Sequence, residues 1–211
     1  MIKAILFDFW GTLAENGVKS PIKQVKNILN IDLPFSSYVV RMEKAMMASK
    51  FDSLNNAFES VFEEFGIEKN DKKIEELIGM WNKSWMLADV YDDTIKTLKA
   101  LRDENFKIIL ISNTDMFSIN NVLDKFEMRD LFDKMYFSYE LGLIKTDKKF
   151  LETVLADLNL NNDDCVLVGD SLASDIKAAQ NQGIKGILVD RNNRRDYSPK
   201  INKLSELKER L

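Results

Sequence analysis

Ala4-Ile5-Leu6-Phe7-Asp8-Phe9-Trp10-Gly11-Thr12 is the stretch on which the fold turns. Four apolar residues run unbroken into an aspartate. A strand with one wet face would alternate apolar and polar residues. An unbroken run marks a strand buried on both faces, as in a parallel sheet. The same texture returns at residues 108–111, 135–137, 166–168 and 187–189. Helical spacings lie between the later runs. Asp92 or Asp93 can cap a segment carrying Ile95, Leu98 and Leu101. Residues 118–126 carry Ile119, Val122, Leu123 and Phe126, and residues 150–158 carry Phe150, Leu151, Val154, Leu155 and Leu158. Residues 173–182 run helically to Gly183, a good stop. Strand–helix–strand alternation predicts an α/β fold, a doubly wound, Rossmann-like parallel sheet with right-handed crossovers.

Residues 16–88 break the alternation. They read as helices at 22–29, 38–48, 54–65 and 73–85, interrupted by Gly66 and the polar residues 68–71. The block follows the first strand directly. It predicts an all-helical cap over 16–88, on hinges near 13–19 and 86–92, with an α/β core formed by 1–15 and 89–211. Most of Tyr38, Phe51, Phe58, Phe62, Phe65, Trp81 and Trp85 are expected to form that block's own core.

Composition narrows the chemistry. At 211 residues and 45% hydrophobic content, the chain can bury a large core without a disulfide or metal staple. A single cysteine cannot form an internal disulfide, which suits a reducing cytoplasm. There is no histidine, so Ser-His-Asp triads, imidazole shuttles and His-ligated metals are excluded. A net charge of −4 argues against nucleic-acid partners. The opening apolar run is far shorter than a membrane span and lacks a small-residue cleavage site. A cytoplasmic protein without membrane partners is therefore expected. No GxGxxG or GxxxxGK motif marks a nucleotide site.

In an open parallel sheet, ligands bind at the carboxyl ends of the strands. The first strand ends in Asp8, Phe9, Trp10, Gly11 and Thr12, and the second in Ser112, Asn113, Thr114 and Asp115. Lys145 follows the third, and Gly169-Asp170-Ser171 with Asp175 follows the fourth. Each alone has a plain explanation as a cap, a turn or a surface residue. Together, four strand ends gather carboxylates, a hydroxyl and an ammonium. If Asp8, Asp170 and Asp175 converge, each close pair repels by about 4 kcal/mol at an effective dielectric near 20. One lysine cannot balance three acids, so the residues themselves call for a divalent cation.

The pattern Asp8-Phe-Trp-Gly-Thr12, Ser112-Asn113, Lys145 and Gly169-Asp170-Ser-Leu-Ala-Ser-Asp175 resembles the haloacid dehalogenase-like hydrolase superfamily. The helical insertion is similar to that superfamily's first-type cap, so the resemblance covers nearly the whole chain. It implies Asp8 as a nucleophile forming a covalent aspartyl intermediate. Thr12, Ser112 and Asn113 would bind the substrate's anionic oxygens. Lys145 would neutralise charge on Asp8 and the substrate. Asp8, Asp170 and the backbone carbonyl of Trp10 would ligate Mg²⁺, with Asp175 as a further ligand or a support behind them. The implied partner is a small anionic substrate, a phosphate monoester or an acyl phosphate.

Position 10 departs from the superfamily's phosphatases, which carry a second aspartate there as acid and base. The indole N–H of Trp10 exchanges no proton near neutral pH. Three readings follow. One is a Mg²⁺-dependent phosphatase that favours good leaving groups or recruits an acid from the cap. Another is a 2-haloacid dehalogenase, in which Arg41 holds the halide. The third is a degenerate member that binds a phosphorylated ligand without turnover. A phospho-accepting receiver domain also gathers Asp, Ser or Thr, Lys and Mg²⁺ at strand ends, but the insertion after the first strand argues against it. The basic stretch 191–195 reads as a solvated loop, and 203–211 as a closing helix.

Overall fold

The computed structural model describes residues 2–211; Met1, the first residue of the expected core, lies outside them. Strand β1 (Ala4–Phe7) leads through β2 (Ala14–Glu15) into helices α1 (Pro21–Ile28), α2 (Phe35–Met47), α3 (Leu54–Glu64) and α4 (Asp71–Met86). The chain returns through β3 (Asp89–Val90), α5 (Thr94–Asp103), β4 (Lys107–Ser112) and α6 (Met116–Lys125). Next come β5 (Lys134–Phe137), α7 (Ser138–Leu141), α8 (Lys148–Leu158) and β6 (Cys165–Gly169). It closes with α9 (Lys177–Gln182), β7 (Lys185–Val189) and β8 (Lys200–Ile201). Six strands lie in the order β5-β4-β1-β6-β7-β8, every neighbouring pair parallel. This is the expected α/β, doubly wound parallel sheet. β8 is an addition, too short to leave a pattern in the sequence.

The sheet is covered on both faces because its strands are apolar on both. Ile5, Phe7, Ile108, Leu110, Val166 and Val168 pack on one side against Leu98, Leu101, Ile119, Val122 and Leu204. Ala4, Leu6, Ile109, Ile111 and Leu167 pack on the other against Phe150, Leu151, Val154 and Ala179. Each fully buried Leu, Ile or Phe contributes about 1.5–3 kcal/mol relative to leaving it exposed.

Helices α1–α4 have a separate apolar core that includes Val25, Tyr38, Met42, Phe58, Val61, Leu77 and Trp81. Polar caps start two of them. Ser53 accepts from the Asn56 N–H at 3.2 Å, and Asn70 from the Lys73 N–H at 3.0 Å. The chain enters and leaves this block through β2 and β3, which pair antiparallel. The two segments expected to be hinges, near 13–19 and 86–92, thus pair with each other as one short ribbon.

Two stretches expected to be α-helical differ. Residues Leu172–Ile176 form a π-helical turn, and α9 begins only at Lys177. The Ile176 N–H bonds to the Ser171 carbonyl at 3.0 Å, the i to i+5 spacing of a π turn, and the Asp175 carboxylate accepts the Ser171 N–H at 2.9 Å. The end of the chain, Leu204–Arg210, is a 3₁₀ helix that buries Leu204 and Leu207. That i, i+3 spacing eclipses on a 3₁₀ helix and places both leucines on one side.

Candidate active site

The strand order reverses around β1, which lies between β4 and β6. Their carboxyl ends meet at one edge, where the doubly wound topology opens a crevice. Asp8 sits at the tip of β1 and is buried. Its backbone N–H still belongs to the sheet, bonding to the Val168 carbonyl at 2.9 Å. Lys145 reaches it from the segment after α7, with Nζ 2.6 Å from Asp8 Oδ1. The same ammonium also bonds to Asp175 Oδ1. Thr12 donates its hydroxyl to Asp8 Oδ2 at 3.2 Å. Both oxygens of Asp8 are thus fixed by the protein.

Asp8, Asp170 and Asp175 each present a carboxylate oxygen, all within 4.8 Å of one another. Two glycines make this approach feasible. A Cβ at Gly11, whose φ is +79°, would stand 2.6 Å from the Asp170 Cγ. A Cβ at Gly169 would stand 2.3 Å from the Asp175 Cγ. Gly11 also supplies the left-handed turn that brings the chain back beneath the strand tip. A cradle of hard oxygens, kept open by missing side chains, fits Mg²⁺.

Three acids crowd around one buried lysine, with the more exposed Arg195 3.8 Å from Asp170. Burial, reinforced by the Asp175 charge, pushes Asp8 up to about 6 despite Lys145. Loss of water contact and then the charges of Asp8 and Asp175 raise Asp170 above the usual carboxylate range. Lys145 is held firmly protonated: burial opposes its charge, but Asp175 and Asp8 outweigh that.

Ser112, at the end of β4, has a fully buried hydroxyl with no hydrogen-bond partner among the described residues. An orphaned buried hydroxyl costs roughly 1–3 kcal/mol. Its place at the crevice suits a group that arrives with a ligand. The Asn113 side chain, expected on the substrate, is instead occupied by the protein. Its amide donates to Glu43 at 2.7 Å and to Ser174 at 3.2 Å, and its oxygen accepts the Lys145 N–H at 2.8 Å. Trp10 turns its indole N–H away from the acids, to the Thr114 hydroxyl at 3.2 Å, and its ring stands edge-on to Phe9.

Arg41 does not join the site. It is exposed, lies 2.6 Å from Glu64 and rests over the Phe65 ring. The arginines of 191–195 differ from expectation in the other sense. Arg191 donates to the Thr12 carbonyl at 2.8 Å, pairs with Asp93 at 3.0 Å and covers the Tyr91 ring. Arg195 bonds to the Asp170 carbonyl. Its guanidinium also stands 3.8 Å from Asp170 Oδ2, so this loop adds a partly exposed cation beside the acids. Glu43, buried on α2 and bonded to Asn113, went unnoticed in the sequence. Its signal was there: Val39, Glu43 and Met47 fall at i, i+4 and i+8, placing an acid on the buried stripe of α2.

Comparison with known proteins identifies the family. The family model described as haloacid dehalogenase-like hydrolase matches residues 2–183. A glyceraldehyde 3-phosphate phosphatase of Methanocaldococcus jannaschii is 28% identical over 226 aligned positions, covering 98% of this chain and 96% of that protein. The uncharacterized protein YMR130W of Saccharomyces cerevisiae is 32% identical over 121 positions, but these span 50% of this chain and 40% of that protein. The crystal structure of an HAD phosphatase from Thermococcus onnurineus superposes with a TM-score of 0.64 at 25% identity, covering 99% of this chain and 97% of that one. The sheet, the four strand ends and the matched span place this chain in the haloacid dehalogenase-like hydrolase family.

Proposed function

We propose that this hydrolase is a Mg²⁺-dependent phosphatase that releases phosphate from a small phosphorylated metabolite through an aspartyl-phosphate on Asp8. The observation that carries the reading is the convergence of Asp8, Asp170 and Asp175, with Lys145 paired to Asp8 and Asp175 and the more exposed Arg195 3.8 Å from Asp170. Three acids against two cations, one of them partly solvated, leave a deficit of positive charge that a divalent cation would fill. The phosphatase names among the relatives point the same way. The C–halogen reading relies on Arg41 at the halide, and Arg41 is paired with Glu64 on the surface instead.

In this reading the helical block 16–88 is a cap over a core of 1–15 and 89–211. Lys145 and Thr12 hold the Asp8 carboxylate in one rotamer, so that an oxygen faces the phosphorus for in-line attack. Ser112 gives its unpaired hydroxyl to a phosphoryl oxygen. Lys145 balances the negative charge that builds between Asp8 and the phosphoryl group. Asp8, Asp170 and the Trp10 carbonyl, with Asp175 beside them, would hold Mg²⁺, which would supply further positive charge for the phosphoryl oxygens. Asn113 positions Lys145 through its backbone N–H and does not touch substrate. The substrate is small and anionic, with no nucleic-acid or membrane partner, and the setting is cytoplasmic. Among the described residues no helix is long and apolar enough to cross a membrane.

The test is a screen of aryl, acyl, sugar and triose phosphates together with 2-chloroacids, run with Mg²⁺ and with EDTA. Phosphate release that requires Mg²⁺ supports the reading. Halide release without Mg²⁺, or no turnover of any compound, overturns it.

A further inference from the structure

A phosphatase that leaves an alkoxide needs a proton donor, and Trp10 cannot be one. The pocket's other titratable groups already have tasks. Asp8 is the nucleophile, Lys145 is pinned between Asp8 and Asp175, and Asp170 belongs to the cation cradle. Glu43 is the carboxyl that the helical block contributes.

Its placement is specific. Asn113 follows β4, and the Leu172–Ile176 turn follows β6, so the two flank the tip of β1. Helix α2 packs against that turn and bonds to Asn113 through Glu43. Glu43 therefore sits buried where the helical block meets the ends of the two strands that flank Asp8, near enough for the charges of Lys145, Asp175 and Asp8 to act on it. An in-line displacement sends the leaving oxygen away from the attacking Asp8 oxygen. The hydrogen bonding also selects an oxygen. The Lys145 backbone N–H can only donate, so it fixes the Asn113 oxygen toward itself and the Asn113 amide toward Glu43. Glu43 Oε2 thus accepts a hydrogen bond. Oε1 bonds to none of the described residues and is free to carry a proton.

Resting on the phosphatase reading above, we infer that Glu43 replaces the aspartate missing at position 10 as the acid and base of the reaction. In the first step an Asp8 oxygen bonds to phosphorus and the phosphorus–oxygen ester bond breaks. Its electron pair goes to the leaving oxygen, which takes the proton from Glu43 Oε1 and departs as an alcohol. In the second step water attacks the aspartyl-phosphate and gives its proton back to Glu43. The phosphorus–Asp8 bond breaks, and its pair returns to the carboxylate. Burial holds Glu43 at about 7, opposed by the Lys145 charge and the Asn113 bond and supported by Asp175 and Asp8. A carboxyl in that range exchanges protons readily near neutral pH. Because Glu43 rides on the helical block, the proton arrives only when that block is seated on the core.

The experiment compares single turnovers of glycerol 3-phosphate and p-nitrophenyl phosphate, with Mg²⁺, in wild type and Glu43→Gln. Alcohol release from the alkyl ester should fall by roughly 10²–10⁴-fold. The first-turnover burst of p-nitrophenolate, which needs no proton, should keep its rate. Adding Trp10→Asp to Glu43→Gln should restore much of the alkyl rate. Equal losses on both esters would make Glu43 a positioning residue and overturn the inference, as would an unchanged alkyl rate. Failure of the phosphatase reading looks different: wild type would turn over neither ester, and the inference would fall with it. Far-UV circular dichroism of Glu43→Gln separates lost folding from lost chemistry. Should that variant fail to fold, Glu43→Asp takes its place, with the same selective loss expected on the alkyl ester.

Discussion

Lys145 Nζ stands 2.6 Å from Asp8 Oδ1 with both side chains out of water, and it is bonded to Asp175 as well. A buried ion pair gains little over an apolar pair, but breaking one is costly. Here the pair is also outnumbered, because Asp170 adds a third acid to the same space. The protein alone leaves the site short of positive charge, and its response to a cation is the first measurable consequence.

Mg²⁺ should raise the melting temperature in a saturable way. At a free concentration one hundred times the dissociation constant, the gain is about 2.7 kcal/mol. Asp170→Asn, which removes a ligand, should shrink that shift. A thermal-shift titration that is flat in wild type, or identical in the two proteins, contradicts the cation cradle.

Ser112→Ala should separate stability from activity. The hydroxyl has no partner among the described residues, so its loss should leave stability unchanged or raise it by about 1 kcal/mol. Losing a donor to the phosphoryl oxygens should lower kcat by about 10²–10³-fold. Chemical denaturation and steady-state kinetics on the same sample decide it. A large loss of stability with intact turnover would show that the hydroxyl serves the fold.

Arg41→Ala should do almost nothing. The Arg41–Glu64 pair is 44% and 39% exposed, and such pairs are worth about 0–1 kcal/mol. Turnover of phosphate esters should match wild type. A large loss of activity would bring Arg41 back to the substrate and revive the halide reading.

Glu43 should make stability depend on pH in a direction that can be stated in advance. Its folded-state value of about 7 lies above the ordinary 4.5, so the folded protein holds that proton more tightly than the unfolded chain. The contribution is complete below about pH 4.5 and is lost as pH rises through 7. The charges of Lys145, Asp175 and Asp8 that act on Glu43 are present in both proteins, so the difference between wild type and Glu43→Gln isolates it. In EDTA, Glu43→Gln should gain on wild type across that interval, levelling at roughly 3 kcal/mol. Denaturation at a series of pH values should show this divergence, and a difference independent of pH would contradict it.

The sheet was readable in the sequence because burial on both faces leaves an unbroken apolar run, and five of the six strands have one. Lys200–Ile201 forms two ladder residues at an edge, too few to show a period. Asp8, Lys145, Asp170 and Asp175 were readable because a parallel sheet brings its strand ends together wherever the loops run. Glu43 was not, because its meaning depends on how α2 docks on the core, and docking leaves no local mark beyond one acid on an apolar stripe. Asn113 looked like a ligand group because nothing local reveals that Glu43, Ser174 and Lys145 take up its side chain. Arg191 and Arg195 read as solvated for the same reason: their partners, Thr12 and Asp170, lie far away in sequence.

The central claim is that Asp8 attacks phosphorus, and trapping the intermediate tests it most directly. Protein mixed with an aryl phosphate and Mg²⁺ is quenched, treated with borohydride and mapped by peptide mass spectrometry. An acyl phosphate on Asp8 is reduced to homoserine, so the account predicts that the modification falls at Asp8 and that Asp8→Asn shows neither it nor turnover. Modification at another residue, or full turnover by Asp8→Asn, would contradict the account.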